Sequence, residues 1–212
     1  MTRKPRQEVL PLSSVRPPLL GLVLAGGKSQ RMGTDKSQLI YPEISGLTQR
    51  DRLLAELGAC GIEGFISCRL DQVGNVVRPF LLDQDDFKGG PGVGLLSAHV
   101  KFSDCAWLVV ACDFPFINQK QISQLVKART ADGNSVATKH ADGTIEPLFA
   151  IWEPKTLQKF LQAFKNGFKS PQKILLETET IAIQFDDEKT LFNINSVAEA
   201  DSYDQLKHRL SL

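Results

Sequence analysis

The chain carries no excess of charge of either sign. Its 25 lysines and arginines stand against 24 aspartates and glutamates, a formal net of +1. With 42% apolar and 23% charged residues, that balance argues against intrinsic disorder and withholds the broad positive field of a nucleic-acid binder. Cysteine is scarce. Cys60, Cys68, Cys105 and Cys112 include no C-x-x-C pair, so neither a zinc site nor a disulfide framework is expected. Each borders an apolar run, where reduced thiols are commonly buried. The opening apolar run, Leu19 to Ala25, has seven residues, far short of the roughly twenty that cross a bilayer. No basic segment leads into a longer apolar core, so no secretory leader is expected. These absences predict a soluble cytoplasmic protein with no membrane or nucleic-acid partner.

No repeat, low-complexity tract or Gly/Ser linker divides the sequence. Residues 1–18 hold four basic residues, Glu8 and four prolines, which predicts a frayed tail ahead of one domain over 19–212. The domain starts with the unbroken run Leu19–Ala25. Similar runs return at Gly64–Cys68, Phe80–Leu82 and Ala106–Cys112, a texture suited to strands covered on both faces. Ser135–Thr138, Leu148–Trp152, Thr180–Ile183 and Leu191–Ile194 are weaker strand candidates. Helical spacing falls between them at Thr48–Leu57, Asn118–Lys127 and Pro154–Phe164. A last helix is expected over Val197–Leu210, headed by a Ser196/Glu199 capping box. The alternation predicts an α/β fold: a single Rossmann-like, doubly wound, mostly parallel sheet with helices on both faces.

Ligands bind such sheets beyond the carboxyl ends of the strands, so the residues following each strand matter most. After the first comes Ala25-Gly-Gly-Lys-Ser-Gln-Arg-Met-Gly-Thr-Asp-Lys36. Gly26, Gly27 and Gly33 let backbone N–H groups approach an anion, while Lys28, Arg31 and Lys36 add three cations. An ordinary turn explains one or two glycines but not this combination. A Walker loop is excluded because Thr34 follows Gly33, and a dinucleotide fingerprint fits Gly92-Val-Gly94 poorly. Gly89, Gly90, Gly92 and Gly94 instead suggest a second ligand-facing loop that leads into a short helix. Asp83 and Asp113 each follow a strand. A carboxylate at Asp83 can accept two guanine N–H bonds or hold a ribose. One at Asp113 suits Mg²⁺, which favours one or two carboxylates plus phosphate oxygens and water. Asn193 and Asn195, two apart, share a face if they lie on a strand. His99, His140 and His208 show no partnered acid or nucleophile at a recognisable spacing.

Leu24-Ala-Gly-Gly-x-Ser-x-Arg-Met-Gly-x-Asp-Lys36 resembles the signature of the molybdenum cofactor guanylyltransferases, within the nucleotidyltransferases. Asp83, Gly90-Pro91-x-x-Gly94, Ala111-Cys-Asp-Phe-Pro-Phe-Ile117, Glu146-Pro-Leu-Phe-Ala150 and Phe192-Asn-Ile-Asn195 follow in the same order, so the likeness spans about residues 19–205. The chain departs from the pattern at Ile44–Thr48, at Ser67 and Cys68, where an asparagine is frequent, and at Glu146, where histidine is frequent. The resemblance implies GMP transfer from GTP to a molybdopterin-type acceptor, with pyrophosphate released. It assigns Leu24, Ala25, Gly26, Gly27, Lys36, Asp83 and Asp113 to GTP, and Asp113 to Mg²⁺. It further implies that Lys36, Arg31 and Asp113 carry catalysis and that Gly90, Pro91 and Gly94 face the acceptor, with Asn193 and Asn195 facing acceptor or metal unless they cap the last helix. Transient contact with other molybdenum cofactor proteins is also implied. CMP transfer to the same acceptor, or a GTP-binding module with little turnover, are the alternative readings.

Overall fold

The computed structural model describes residues 16–25, 35–41, 45–75, 78–87, 89–90 and 92–193. The helix expected at Val197–Leu210 and its capping box lie outside these residues.

The unbroken apolar runs form the core strands. Strands β1 (Leu19–Leu24), β2 (Gly64–Cys68), β3 (Phe80–Leu82) and β4 (Ala106–Ala111) pair in parallel. With β5 (Val136–Lys139), β6 (Ile145–Trp152) and β7 (Ile181–Ile183) they make one seven-stranded sheet in the order β3-β2-β1-β4-β6-β5-β7. Strand β4 shows why its sequence has no polar alternation. Trp107 and Val109 pack into one apolar layer and Leu108 and Val110 into the other, and all four are fully buried. The first layer is closed by α2 (Val93–Lys101), α4 (Pro154–Lys165) and α5 (Pro171–Leu176), through Leu95, Leu157, Phe160 and Ile174. The second is closed by α1 (Gln49–Ala59) and α3 (Gln119–Ala128), through Leu53, Leu57, Ile122 and Leu125. Burying each such side chain contributes about 1.5–3 kcal/mol before chain entropy is charged against it.

Local chemistry sets the helix starts. Thr48 accepts from Asp51 N at the head of α1, and Asn118 with Gln121 forms a reciprocal capping box at α3. Proline at the first position opens α4 and α5.

Three expectations need correction. Leu191, expected to open a strand, instead ends a 3₁₀ turn over Glu188–Leu191 that Asp187 nucleates by accepting from Lys189 N; Ile194 and Asn195, and with them the common strand face proposed for Asn193 and Asn195, lie outside the described residues. Cys68 and Cys112 are buried, but Cys60 and Cys105 are only half-buried. Residues 16–18, assigned to the tail, are tied to the domain. Ala106 N donates to Pro18 O, Arg129 Nη2 to Pro17 O, and Arg16 Nη1 to Arg129 O. Arg129 is itself locked to the buried carboxylate of Glu153 by two hydrogen bonds.

The sheet is mixed on one side. A tight turn, with Gly143 at φ 86° and Thr144 N bonded to Asp142 Oδ1, reverses the chain after β5. Strand β6 therefore runs antiparallel between β4 and β5. Its register against β5 jumps: Ala137 faces Ala150, whereas Thr138 faces Glu146. Pro147, which lacks an N–H for the ladder, lies in the bulge.

Candidate active site

Every parallel strand delivers its successor residues to one edge. There a cleft of about 990 Å³ opens between β2, β3 and the start of α2. Leu24, Ser67, Arg69, Asp83, Gly90 and Gly94 line it. Asp83 leaves β3 with its backbone N–H bonded to Cys68 O, and its Oδ1 accepts from Ser67 Oγ at 2.5 Å. Desolvation raises the Asp83 carboxyl above the usual carboxylate range, against the opposing pull of the Ser67 bond and Arg69. Behind it, Gln84 N donates to Ser97 Oγ, which bonds to Val93 O, so α2 holds the turn after β3.

The glycines of the second loop divide by task. Gly89 and Gly90 adopt φ values of 74° and 103°, which favour glycine. Gly94 is needed for close approach instead: a Cβ there would stand 2.1 Å from Ser67 Oγ. A Cβ at Gly92 would likewise stand 2.4 Å from Phe160 Cζ.

On the far side of β1, Lys36 Nζ lies 3.3 Å from Asp113 Oδ1. Asp113 belongs to the loop after β4, which α1 supports from beneath. Gln49 Nε2 donates to Phe114 O and Arg52 Nη1 to Ile117 O, both from buried side chains. Burial, with Asp113 and Asp35 nearby, pushes the Cys112 thiol far up and leaves it inert.

Ala25, between the two halves, is pinned by its N–H to Ser67 O. Gln72, which sequence reasoning missed, ties both stems of the glycine-rich segment. Its Nε2 donates to Ala25 O at 3.1 Å and to Asp35 Oδ2 at 2.9 Å, while its Oε1 accepts from Arg69 N. Gly26, Gly27, Lys28 and Arg31 lie outside the described residues, as do Pro91 and Asn195. Asn193 follows Phe192, whose ring packs 6.2 Å from Phe116 in the loop bearing Asp113. Among the described residues Asn193 Oδ1 is buried with no hydrogen-bond partner.

One histidine differs from the sequence reading. His140 has an acid partner, with Nε2 lying 3.3 Å from Glu146 Oε2 across the β5–β6 turn. His99 is buried within α2, and desolvation lowers its pKa. His208 lies outside the described residues.

The donor set suits Mg²⁺ held chiefly by substrate. Asp113 is a partly exposed carboxylate, and no group of three His, Cys, Asp or Glu side chains gathers among the described residues. An ion that keeps its waters and takes phosphate oxygens asks the protein for no more than this. No described helix is long and apolar enough to cross a membrane.

Comparisons with known proteins bear on the family and the fold. Residues 21–181 match the model of the MobA-like NTP transferase domain. The chain is 31% identical over 194 residues to a molybdenum cofactor guanylyltransferase of Pseudomonas putida, covering 87% of this chain and 97% of that protein. It is 32% identical to a molybdenum cofactor biosynthesis bifunctional protein of Synechocystis; that match covers 89% of the chain but about half, 54%, of the relative. The crystal structure of molybdopterin-guanine dinucleotide biosynthesis protein A from Archaeoglobus fulgidus shares the fold. Its TM-score is 0.72 at 20% identity, covering 90% of this chain and 99% of that one. The chain belongs to the MobA-like NTP transferase family.

Proposed function

We propose that this nucleotidyltransferase moves GMP from GTP to the terminal phosphate of a molybdenum-bearing molybdopterin. A phosphate oxygen of the acceptor attacks the α-phosphorus of GTP in line. A new P–O–P bond forms, the α–β bond breaks, and pyrophosphate carries away the electron pair. The observation that carries this reading is the placement of two unlike stations on either side of Leu24 and Ala25: the Asp83 cleft, and the Lys36–Asp113 pair.

Asp83 answers the base. A desolvated carboxylate gains most from two converging donors, and the N1–H and N2–H of guanine supply them side by side. Lys36 and Arg31 take the triphosphate, and the glycine-rich segment adds backbone N–H groups. When bound, Mg²⁺ neutralises charge on the triphosphate and on departing pyrophosphate, with Asp113 as its protein ligand. The Gln49 and Arg52 contacts keep the Asp113 loop in place, and Gln72 keeps Ala25 and Asp35 together, so the reacting groups meet in a fixed geometry. Gly90, Pro91, Gly94, Asn193 and Asn195 border the acceptor side. Exchange of acceptor and product with other molybdenum cofactor proteins belongs to the same reading.

The test is pyrophosphate release with each of the four nucleoside triphosphates and the molybdenum-bearing acceptor. GTP is expected to be used with at least tenfold preference, about 1.4 kcal/mol. Asp113→Asn is expected to cost about 10²–10³ in turnover with the fold intact. Equal use of CTP sinks the base assignment, and wild-type turnover in Asp113→Asn removes Asp113 from the site.

A further inference from the structure

One stretch of the chain is charged in one sense only. Residues 154–176, which form α4, the turn after it and α5, hold five lysines and no acid, so the remainder of a chain with a net of +1 is acidic on balance. Lys155, Lys159, Lys165, Lys169 and Lys173 are all exposed. Among the described residues, Lys155, Lys159, Lys165 and Lys173 enter no ion pair. A face that serves solubility alone commonly intersperses both signs, and this one does not.

The lysines after α4 are held in place. Gly167, at φ 87°, closes the helix with its N–H on Phe164 O, while Phe168 N donates to Ala163 O. Lys169 Nζ then lies 5.6 Å from the centre of the Phe164 ring, and Lys173 Nζ 5.8 Å from that of Phe168. Cations held this way give up less rotamer freedom when an anion arrives.

A groove of about 530 Å³ runs between α2, the turn after β3 and the end of α4. Its floor is apolar, made of Phe87, Val100, Leu161 and Phe164, and Val100 is 44% exposed. Lys165 and Lys169 line it on the α4 side, and among the described residues Asp86 is its only carboxylate. Gln84 and Phe87 line both this groove and the Asp83 cleft, so the two are continuous. A ligand that is all phosphate has no use for the apolar floor, and a membrane is flat where the groove is concave. A protein segment supplies an apolar side chain and carboxylates together.

We propose that the groove docks an acidic segment of a partner protein, with an apolar side chain seated against Phe87, Val100 and Leu161 and carboxylates paired to Lys165 and Lys169. This rests on the reading that acceptor and product pass between proteins, and it places the partner at the mouth of the Asp83 cleft. The lysines beyond the groove steer an acidic partner toward this side of the molecule.

The experiment is a fluorescence anisotropy titration of the full-length protein with a short labelled peptide in which one leucine and one phenylalanine stand between glutamates. Lys165→Glu combined with Lys169→Glu is expected to weaken binding by about tenfold or more, since two attractions become repulsions. Val100→Gln, at an exposed position, is expected to weaken it about threefold through lost apolar contact. Asp86→Asn is expected to tighten it, because a like charge leaves the groove. The same charge reversal at Lys155 and Lys159, which do not line the groove, is expected to alter affinity less than about twofold. Melting and GTP affinity of Lys165→Glu and Val100→Gln are expected to match wild type, which separates lost docking from lost fold. Equal losses from the two double variants overturn the inference, because the stretch is then a diffuse charged face. So does an unchanged affinity when serines replace the peptide's leucine and phenylalanine, or no measurable binding to the wild type. Single-stranded DNA or phosphatidylglycerol vesicles binding more tightly than the peptide, through Lys165 and Lys169, assign the lysines to another class of partner and overturn it as well. The titration contains neither nucleotide nor acceptor, so its failure is a separate result from failure of the guanylyl-transfer reading.

Discussion

Adding a single methyl group at Gly94 tests how tightly the Asp83 cleft is built. In Gly94→Ala the new Cβ would stand 2.1 Å from Ser67 Oγ and 3.0 Å from both Ser67 Cβ and Leu24 Cδ2. The hydroxyl could swing away, but only by abandoning its bond to Asp83, and the Cβ contact would remain. The alternative is for α2 to retreat from β2, which disturbs the Ser97 support of the turn bearing Asp83. Overpacking of this kind costs about 1–3 kcal/mol, and alanine returns up to about 1 kcal/mol of helix propensity. The net loss is about 1–2 kcal/mol, or a fall of about 2–8 °C in Tm for a domain of this size. Calorimetric melting with and without GTP reads both consequences, since a distorted cleft also loses ligand stabilisation. Ser67→Gly removes both offending Ser67 atoms, so the double variant should melt above Gly94→Ala, although Asp83 has lost its donor. If Gly94→Ala melts at or above wild type and binds GTP as tightly, the close approach of α2 to β2 is not a constraint on the site.

Other predictions probe the remaining stations. Lys36→Ala should weaken GTP binding and slow single-turnover release together, with Lys36→Arg recovering part of the loss and Lys28→Ala doing much less; wild-type behaviour in Lys36→Ala discards its phosphate role. Gln72→Leu removes one buried and two part-buried hydrogen bonds and leaves Asp35 short of a donor, so unfolding titrations should show a loss of about 2–4 kcal/mol and GTP affinity should fall; an unchanged affinity refutes the tie between the two stems. Asp83→Asn should stabilise the ligand-free protein at neutral pH while shrinking the preference for GTP over CTP. The sign follows from burial. A carboxyl whose folded pKa is raised binds its proton more tightly when folded, so stability falls as pH rises from the unfolded value of 3.8 through the folded one. The advantage of the amide should therefore vanish on the acid side of that window, and a melting difference independent of pH contradicts it.

The parallel half of the sheet was legible because burial on both faces removes polar alternation, and β2 and β3 match their expected bounds. Helix α1 was legible through the spacing of Leu53, Leu54 and Leu57, and α3 through the cap Asn118. Less readable was what depends on register. Nothing local told Ser67 that it would face Asp83, because the offset between β2 and β3 is set by packing over the whole layer. The Asp142-Gly143 dipeptide is a hairpin signal, and weighing it would have revealed both the antiparallel course of β6 and the approach of His140 to Glu146. The bulge at Pro147 then carries Glu146 to a partner that plain alternation does not indicate. Leu191 looked like the start of a strand because of the apolar texture of Leu191-Phe192, but Asp187 set a 3₁₀ turn that ends there.

The grip on residues 16–18 has a practical consequence. Pro17 and Pro18 are fastened to Arg129 and to the first residue of β4, at the sheet edge from which the parallel strands set out. A six-residue strand is about 20 Å long, so this anchor stands a full strand length from the edge that carries Asp83 and Asp113. A carrier protein, a surface tether or a second enzyme joined ahead of Arg16 therefore pulls on the end of the sheet opposite Asp83 and Asp113. Because the anchor is a buried ion pair rather than a loose terminus, tension on such a tether reaches β4 and α3 before it reaches the nucleotide.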